Sequence, residues 1–312
     1  MTPGAVVVWT DGRPRLMPHR IPDRGLVIGR GLITDDLALR ASHALVELAP
    51  KPRSDFAETW DLAPELGLAI SPEPDAGIEL DGEPLTEPSA LDLPSFLAVG
   101  RSVIALVPDL TELDNLAVTR HGNLVIGSAL GPVVKQVEDA ANAEEHLSLR
   151  GPDDLVRALA QRYADKLGTH AWFRPGGDQH LDHFLSTRGR VRTVILELSR
   201  VLFDHDVRAI STLLETDLRF VVVRSDDHYL QWLPPALAER TLEVPRYACD
   251  ERVVVIAERA GPRRLHAATV AALLDQAERL PEERWGRLLD GVIWSWNDAS
   301  PPQLATILSN LR

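Results

Sequence analysis

The sequence predicts a multidomain protein of the β plus α/β class: an N-terminal β-sandwich followed by a parallel α/β domain with a short helical C-terminal tail. Three observations carry this. Up to residue 109, short apolar runs alternate with turn signals. From residue 123 the pattern becomes helices between β-branched runs of the kind buried on both faces of a parallel sheet. The chain has 312 residues, 45% of them hydrophobic and 25% charged, which suffices for about two domains that each bury a core.

In the first domain the strands begin with Ala5–Trp9, the turn Thr10–Pro14 and Arg15–Ile21. Further strands are expected at Gly25–Gly29, His43–Leu48, Ala57–Leu62, Leu66–Ile70, Gly77–Leu80 and Ser102–Val107. Their spacing is that of a sandwich. Asp81-Gly82 is a hairpin signal, because a two-residue turn there needs positive φ at both positions. Residues 110–122 are acidic and separate two differently patterned regions, so they read as a linker. The second domain then spans 123–312. Its expected elements are the amphipathic helix Pro132–Ala141, the strands Thr193–Leu198 and Leu218–Val223, and the crossover helix Asp206–Leu214 between them. The tail from about Pro262 is helical, with amphipathic spacing over His266–Arg279.

One stretch bears most directly on function. His146–Arg150 reads as a strand and Asp154–Leu159 as the start of a helix, joined only by Gly151-Pro152-Asp153. A phosphate-binding loop needs a glycine-rich turn with inward N–H groups, then Lys-Ser/Thr opening the helix. Here the lysine is absent, Pro152 removes a donor, and Asp153 opposes an anion where an ammonium should attract one. The stretch has the outline of a nucleotide site without its chemistry, and it points to binding rather than catalysis.

The segments Val27-Ile28-Gly29-Arg30, Asp36, His43-Ala44, Gly77–Leu85 and Leu97–Ile104 arrive in an order that resembles a forkhead-associated (FHA) domain. The resemblance covers about the first hundred residues and implies a phosphothreonine reader. Arg30 matches that family's phosphate arginine and His43 its structural histidine. The phosphate serine is not matched: Arg40 stands three residues before His43, and Ser42 directly before it. The later Asn-Gly is replaced by Asp75-Ala76-Gly77. Arg30 and Arg40, with Ser42 beside them, form either a two-arginine phosphate pocket or a pair of solvated loop arginines.

From residue 123 to 257 the order of segments resembles the AAA+ module of the bacterial activators of sigma-54 RNA polymerase. That resemblance puts Glu197 at the end of the Walker B strand, Ser225 in the sensing position and Arg240 near the arginine-finger helix. It also implies a degenerate nucleotide site of Gly151, Asp153, Glu197, Ser225 and Arg240. Hydrolysis needs an acid for Mg²⁺ and a second to orient water, and Leu198 follows Glu197. Ser225 replaces an asparagine, the loop that touches the sigma factor is missing, and no helix-turn-helix follows. The expectation is a pseudo-ATPase with no cofactor, no catalytic residue and no metal.

Composition narrows the partners. The net charge of −13 repels nucleic acid and anionic membranes, so a protein partner, with or without phosphate on threonine, is expected, with no DNA and no membrane. Self-association should be weak, dimeric at most. The single Cys249, the absence of a long apolar run and the absence of a leader-like N-terminus suggest a cytoplasmic location. Two alternatives to an interaction module stay open: a phosphothreonine reader, and an enzyme with a residual nucleotide or metal site around His170, Asp178, His180, Asp182 and His183. Trp285, Trp294 and Trp296 belong either to a core or to an interface.

Overall fold

The computed structural model describes residues 4–21, 26–29, 44–50, 68–72, 77–87, 89–110, 118–122, 124–175, 181–187, 190–198, 204–224, 233–263 and 265–295. They fall into two compact units. One comprises Met1–Val118 together with Ala248–Arg312, and the other is Thr119–Tyr247. This division differs from the sequence order of the expected domains. The C-terminal helices group with the sandwich, and the α/β unit interrupts the sandwich unit in the chain.

In the first unit, β1 (Gly4–Thr10), β2 (Arg13–Arg20), β6 (Ile78–Leu80), β7 (Glu83–Pro84), β9 (Ser95–Val99) and β10 (Ser102–Val107) form a six-stranded sheet in the order β2-β1-β10-β9-β6-β7. A four-stranded sheet holds β3 (Leu26–Gly29), β4 (Ala44–Pro50), β5 (Leu68–Pro72) and β8 (Ser89–Leu91). All their pairings are antiparallel. Alternation sorts the side chains of the larger sheet. Ala5, Val7, Leu97, Val99, Ile104 and Leu106 share a core with Ile28 and Leu91 of the smaller sheet.

The opposite face carries Val6, Val8, Trp9, Phe96, Ala98, Val103, Ala105 and Val107. A register shift between Val7 and Trp9 lets both Val8 and Trp9 join this face. It is covered by α6 (Cys249–Ala260), α7 (Ala267–Arg279) and α8 (Glu282–Ser295), through Val253, Ile256, Val270, Leu273, Leu274, Trp285, Leu288 and Val292. The unit therefore has three layers, two sheets and a helical layer. Strands β1, β9 and β10 are buried along their whole length for that reason. The Asp81-Gly82 turn has φ of 53° and 89°, and a Cβ on Gly82 would lie 2.5 Å from the Cβ of Ala272 in α7, so only glycine fits there.

The second unit opens with the hairpin β11 (Thr119–His121) and β12 (Leu124–Ile126), where the sequence suggested a linker. Helix α1 (Leu130–Asn142) follows. The five strands β13 (Leu147–Arg150), β14 (His170–Phe173), β15 (Thr193–Glu197), β16 (Arg219–Arg224) and β17 (Thr241–Glu243) form a wholly parallel sheet in the order β14-β15-β16-β13-β17. Helix α2 (Asp153–Leu167) packs on one face. The helices α3 (Leu181–Thr187), α4 (Asp204–Leu213) and α5 (Pro235–Ala238) close the other through Phe184, Ile210 and Leu237. The first strand in the chain thus lies between the fourth and the fifth. That reversal of strand order is where open α/β sheets place ligands, beyond the carboxyl ends of the strands.

Candidate functional site

Strand β13 ends at Arg150 and α2 begins at Asp153, so two residues, Gly151 and Pro152, make the whole connection. That is shorter than the sequence reading, which counted Asp153 in the turn. Two residues cannot encircle a phosphate. The Gly151 N–H is directed to the Arg224 carbonyl at 3.3 Å, and Pro152 has no N–H. Gly151 has φ 152°, and a Cβ there would lie 2.3 Å from the Val244 carbonyl oxygen. The segment after β17 therefore fills the space beside the turn, anchored by the Val244 N–H donating to the Arg150 carbonyl at 2.7 Å.

The open end of α2 carries Asp153 and Asp154 in its first turn. A helix N-terminus attracts an anion by about 0.3–1 kcal/mol. Asp153 and Asp154 already meet that dipole with their own negative charge, so this helix end is satisfied by its own side chains.

Glu197 closes β15 at the same edge of the sheet. Its Oε1 accepts a hydrogen bond from Arg157 Nη2, and Arg174 Nη2 donates to both carboxylate oxygens at 2.9 Å. Burial pushes the Glu197 carboxyl up, but the hydrogen bonds from Arg174 and Arg157 outweigh it and hold the group below the usual carboxylate range. Arg157 lies on α2, one turn beyond Asp153, and Arg174 directly follows β14. Two guanidinium ions thus share the one carboxylate of Glu197. Sequence reasoning passed over both arginines. The available signal was that each follows a strand's carboxyl end, Arg174 directly and Arg157 one turn into the next helix, at the edge where Glu197 ends its own strand.

Arg240 does not join this cluster. It precedes β17 and forms an ion pair with Glu145, which precedes β13, so it occupies the amino-terminal edge of the sheet. There it lines an open groove with His146, Arg219 and Glu239. Burial first, and Arg219 second, lower the affinity of His146 for a proton, and its Nδ1 accepts the Phe220 N–H at 3.2 Å. Ser225, Arg30, Arg40 and Ser42 lie outside the described residues.

The other constellations disperse. Asp178 and His180 lie outside the described residues, as does the side chain of Asp182, and His183 is exposed. His170 meets Gln161 at 2.9 Å and the Gly168 carbonyl at 3.3 Å. Among the described residues no three His, Cys, Asp or Glu side chains are grouped to hold a metal ion. Burial, with Asp250 beside it, pushes the Cys249 thiol up, which makes it a poor nucleophile. Trp285 is buried and donates to the Leu273 carbonyl at 2.9 Å, whereas Trp294 is 82% exposed; Trp296 lies outside the described residues. No described helix is long and apolar enough to cross a membrane.

No protein-family model matches the chain. No curated protein matches it either. Among solved structures it is similar to an FHA domain from a study of phosphothreonine-dependent FHA interactions. The identity is 17%, over 34% of this chain and 97% of that one, with a TM-score of 0.23. It is likewise similar to the FhaA FHA domain solved in complex with an intracellular domain of another protein, at 16% identity over 34% of this chain and 99% of that one, TM-score 0.24. A DNA polymerase III gamma-subunit-related protein from Thermotoga maritima is similar at 14% identity over 51% of this chain and 61% of that one, TM-score 0.29. The sheets themselves, rather than these scores, define the folds: an antiparallel sandwich and a parallel α/β unit with its first strand inside the sheet.

Proposed function

We propose that the chain is a non-catalytic protein-interaction or regulatory module, in which an FHA-like unit engages a protein partner and an AAA+-like unit serves as a pseudo-ATPase. One observation carries this reading: the chain's own groups occupy the carboxyl edge of the parallel sheet, with Glu197 held by Arg157 and Arg174. Asp153 and the two-residue turn at Gly151 act in the same direction. A metal-bound triphosphate would have to displace two guanidiniums and tolerate two carboxylates. Arg240, tied to Glu145 in its own chain, would have to leave that pair to serve another copy as a finger. The sequence likeness to sigma-54 activators belongs to this reading as ancestry, and no contact with a sigma factor is required by it. Calorimetric titration with ATP and Mg²⁺ should give no binding heat, and a hydrolysis assay no turnover above buffer. Affinity in the micromolar range would overturn the reading.

A second reading is favoured by the pairing of β3 with β4, which sets Gly29 opposite Ala44. Both ends of the segment that carries Arg30, Arg40 and Ser42 are thereby held at one end of the sandwich. In this reading the FHA-like unit recognises phosphothreonine through Arg30 and Arg40, whose guanidinium forks match phosphate. A phosphothreonine peptide library should bind the intact protein and lose binding with the Arg30→Ala, Arg40→Ala double variant. Failure of the intact protein to bind any peptide would remove this reading and leave the first standing.

A further inference from the structure

We propose that the groove at the amino edge of the parallel sheet is a binding site for a carboxylate, with Arg192 and Arg219 as its anchors and Glu144 as the chain's own displaceable occupant. The groove has a volume of about 620 Å³, a size that suits a small ligand, and lies wholly within the second unit; its lining includes Glu144, His146, Thr216 and Arg219. The sheet sets the two anchors side by side. Arg192 precedes β15, Arg219 opens β16, and the Arg219 N–H donates to the Arg192 carbonyl at 2.9 Å.

Three observations point to a ligand rather than to a structural ion pair. The Glu144 carboxylate stands 3.7 Å from Arg192 Nη2 and 3.9 Å from Arg219 Nη2, attracted to both but beyond hydrogen-bond reach of either. Arg219 is incompletely satisfied: its Nη1 donates to the Thr216 and Leu218 carbonyls, whereas its Nε is buried without a hydrogen bond among the described residues. Glu144 itself has φ 50°, in the left-handed region. It closes α1 there, with its N–H on the Ala141 carbonyl and the Glu145 N–H on the Ala140 carbonyl. Glycine is the residue that fits such a position without strain. A strained glutamate is thus kept where its carboxylate, loosely held, meets two arginines. A free carboxylate is not tethered to a helix end, so it can close to hydrogen-bonding distance of the two guanidinium forks, which match it. His146 adds a donor to the lining, because its Nδ1 accepts the Phe220 N–H at 3.2 Å and the ring proton is left on Nε2. Arg240 is already held by Glu145. The site lies at the opposite edge of the sheet from Glu197 and stands or falls independently of ATP binding.

Amide chemical shifts of the full chain, followed at constant ionic strength, test this. Citrate and a hexaglutamate peptide, titrated separately, distinguish a small ligand from an acidic protein segment as the source of the carboxylate. Glu144→Gly suits the backbone and removes the internal occupant. Glu144→Gln keeps the backbone as it is and removes only the charge. Each should bind at least one of the two probes about tenfold more tightly than the parent chain, because a site filled by its own side chain about nine-tenths of the time shows about a tenth of its intrinsic affinity. The shifts should centre on His146, Thr216 and Arg219. Adding Arg192→Gln, at an exposed position, should abolish the gain. Affinities for both probes that are the same with and without the Glu144 carboxylate overturn the proposal. So does a gain that survives Arg192→Gln.

Discussion

The central strands of the two large sheets are buried on both faces, yet they reach that state by different routes. The parallel sheet of the second unit is covered by helices that lie between its own strands in sequence, such as α2 and α4. The six-stranded sheet of the first unit is covered by the smaller sheet on one side and by α6–α8, contributed from beyond the whole second unit, on the other. Burial of a sheet face is obligatory once its side chains are apolar, but the covering element need not be near in sequence. The units differ in charge as well. The second places carboxylates beside guanidiniums, as at Glu197 and Glu138. The first gathers carboxylates at the seam between the β6–β7 hairpin and α7, where half-buried Asp81 accepts the Phe96 N–H at 2.6 Å and lies in the field of buried Asp275, which is paired with Arg279.

The largest effect should come from ending the chain at Tyr247. That exposes Val6, Val8, Trp9, Phe96 and Val103 at about 1.5–3 kcal/mol each, comparable with the whole stability of a domain, about 5–15 kcal/mol. The first unit should then be unfolded or aggregated by circular dichroism and light scattering. Deleting Thr119–Tyr247 and joining Val118 to Ala248 through a flexible linker should leave it folded. A stable sandwich in the truncated chain would show that the helices are ornamental.

Next in size, Ile256→Ala on α6 should cost the first unit about 2–5 kcal/mol in denaturant unfolding, because Ile256 is fully buried against the sheet. Leu196→Ala should impose a similar loss on the second unit. Equal response of a far-off helix and of a strand is the point at issue; a loss below about 1 kcal/mol for Ile256→Ala would mean a loosely held helical layer.

The smallest effects are in pH, and their signs oppose. Glu197 is depressed in the folded state, so its contribution is present above the ordinary carboxylate range and fades as pH falls through its lowered value. Glu197→Gln should therefore lower the stability of the second unit by about 1–2 kcal/mol at neutral pH and by nearly nothing in strong acid. Asp81 and Asp275 are raised, by burial first, with the Phe96 N–H and Arg279 opposing and Glu278 adding to Asp275. Nearby Glu79 is also raised by burial, with Glu83 adding and His266 opposing. Their seam is most stable below the ordinary carboxylate range and weakens as pH rises through their raised values. Asp275→Asn should stabilise the first unit at neutral pH and flatten its pH profile above the ordinary carboxylate range. His19 and His146 are both lowered by burial, one in each unit, so each unit loses stability as pH falls below the ordinary histidine range. Their contributions share a sign and leave the contrast between the carboxylates intact. Unfolding transitions of the two units that move in the same direction in the Glu197→Gln and Asp275→Asn chains would contradict it.

Much of this was legible in the sequence. The Asp81-Gly82 hairpin, the Ser102–Val107 strand, α1 and the crossover helix appear within a few residues of their expected places, because each is set by local turn chemistry or periodicity. The missing lysine and added proline of the Gly151 turn were legible too, although the sequence suggested a three-residue connection where two residues make it. What the sequence hid was long-range. Ala5–Trp9 is apolar without alternation, a sign of a strand covered on both faces, but nothing local says which helices do the covering. Arg157 and Arg174 are ordinary surface-type residues until the sheet brings their elements to the edge where Glu197 ends its strand.

The central claim, that the nucleotide position is filled by the chain's own charges, is tested most directly by thermal unfolding of the full protein with and without millimolar ATP and Mg²⁺. A ligand at about a hundred times its Kd stabilises the state that binds it by about 2.7 kcal/mol, a shift of several degrees for a unit of this size. The account predicts superimposable transitions. An upward shift of the second unit's transition, lost again in the absence of Mg²⁺, would contradict it.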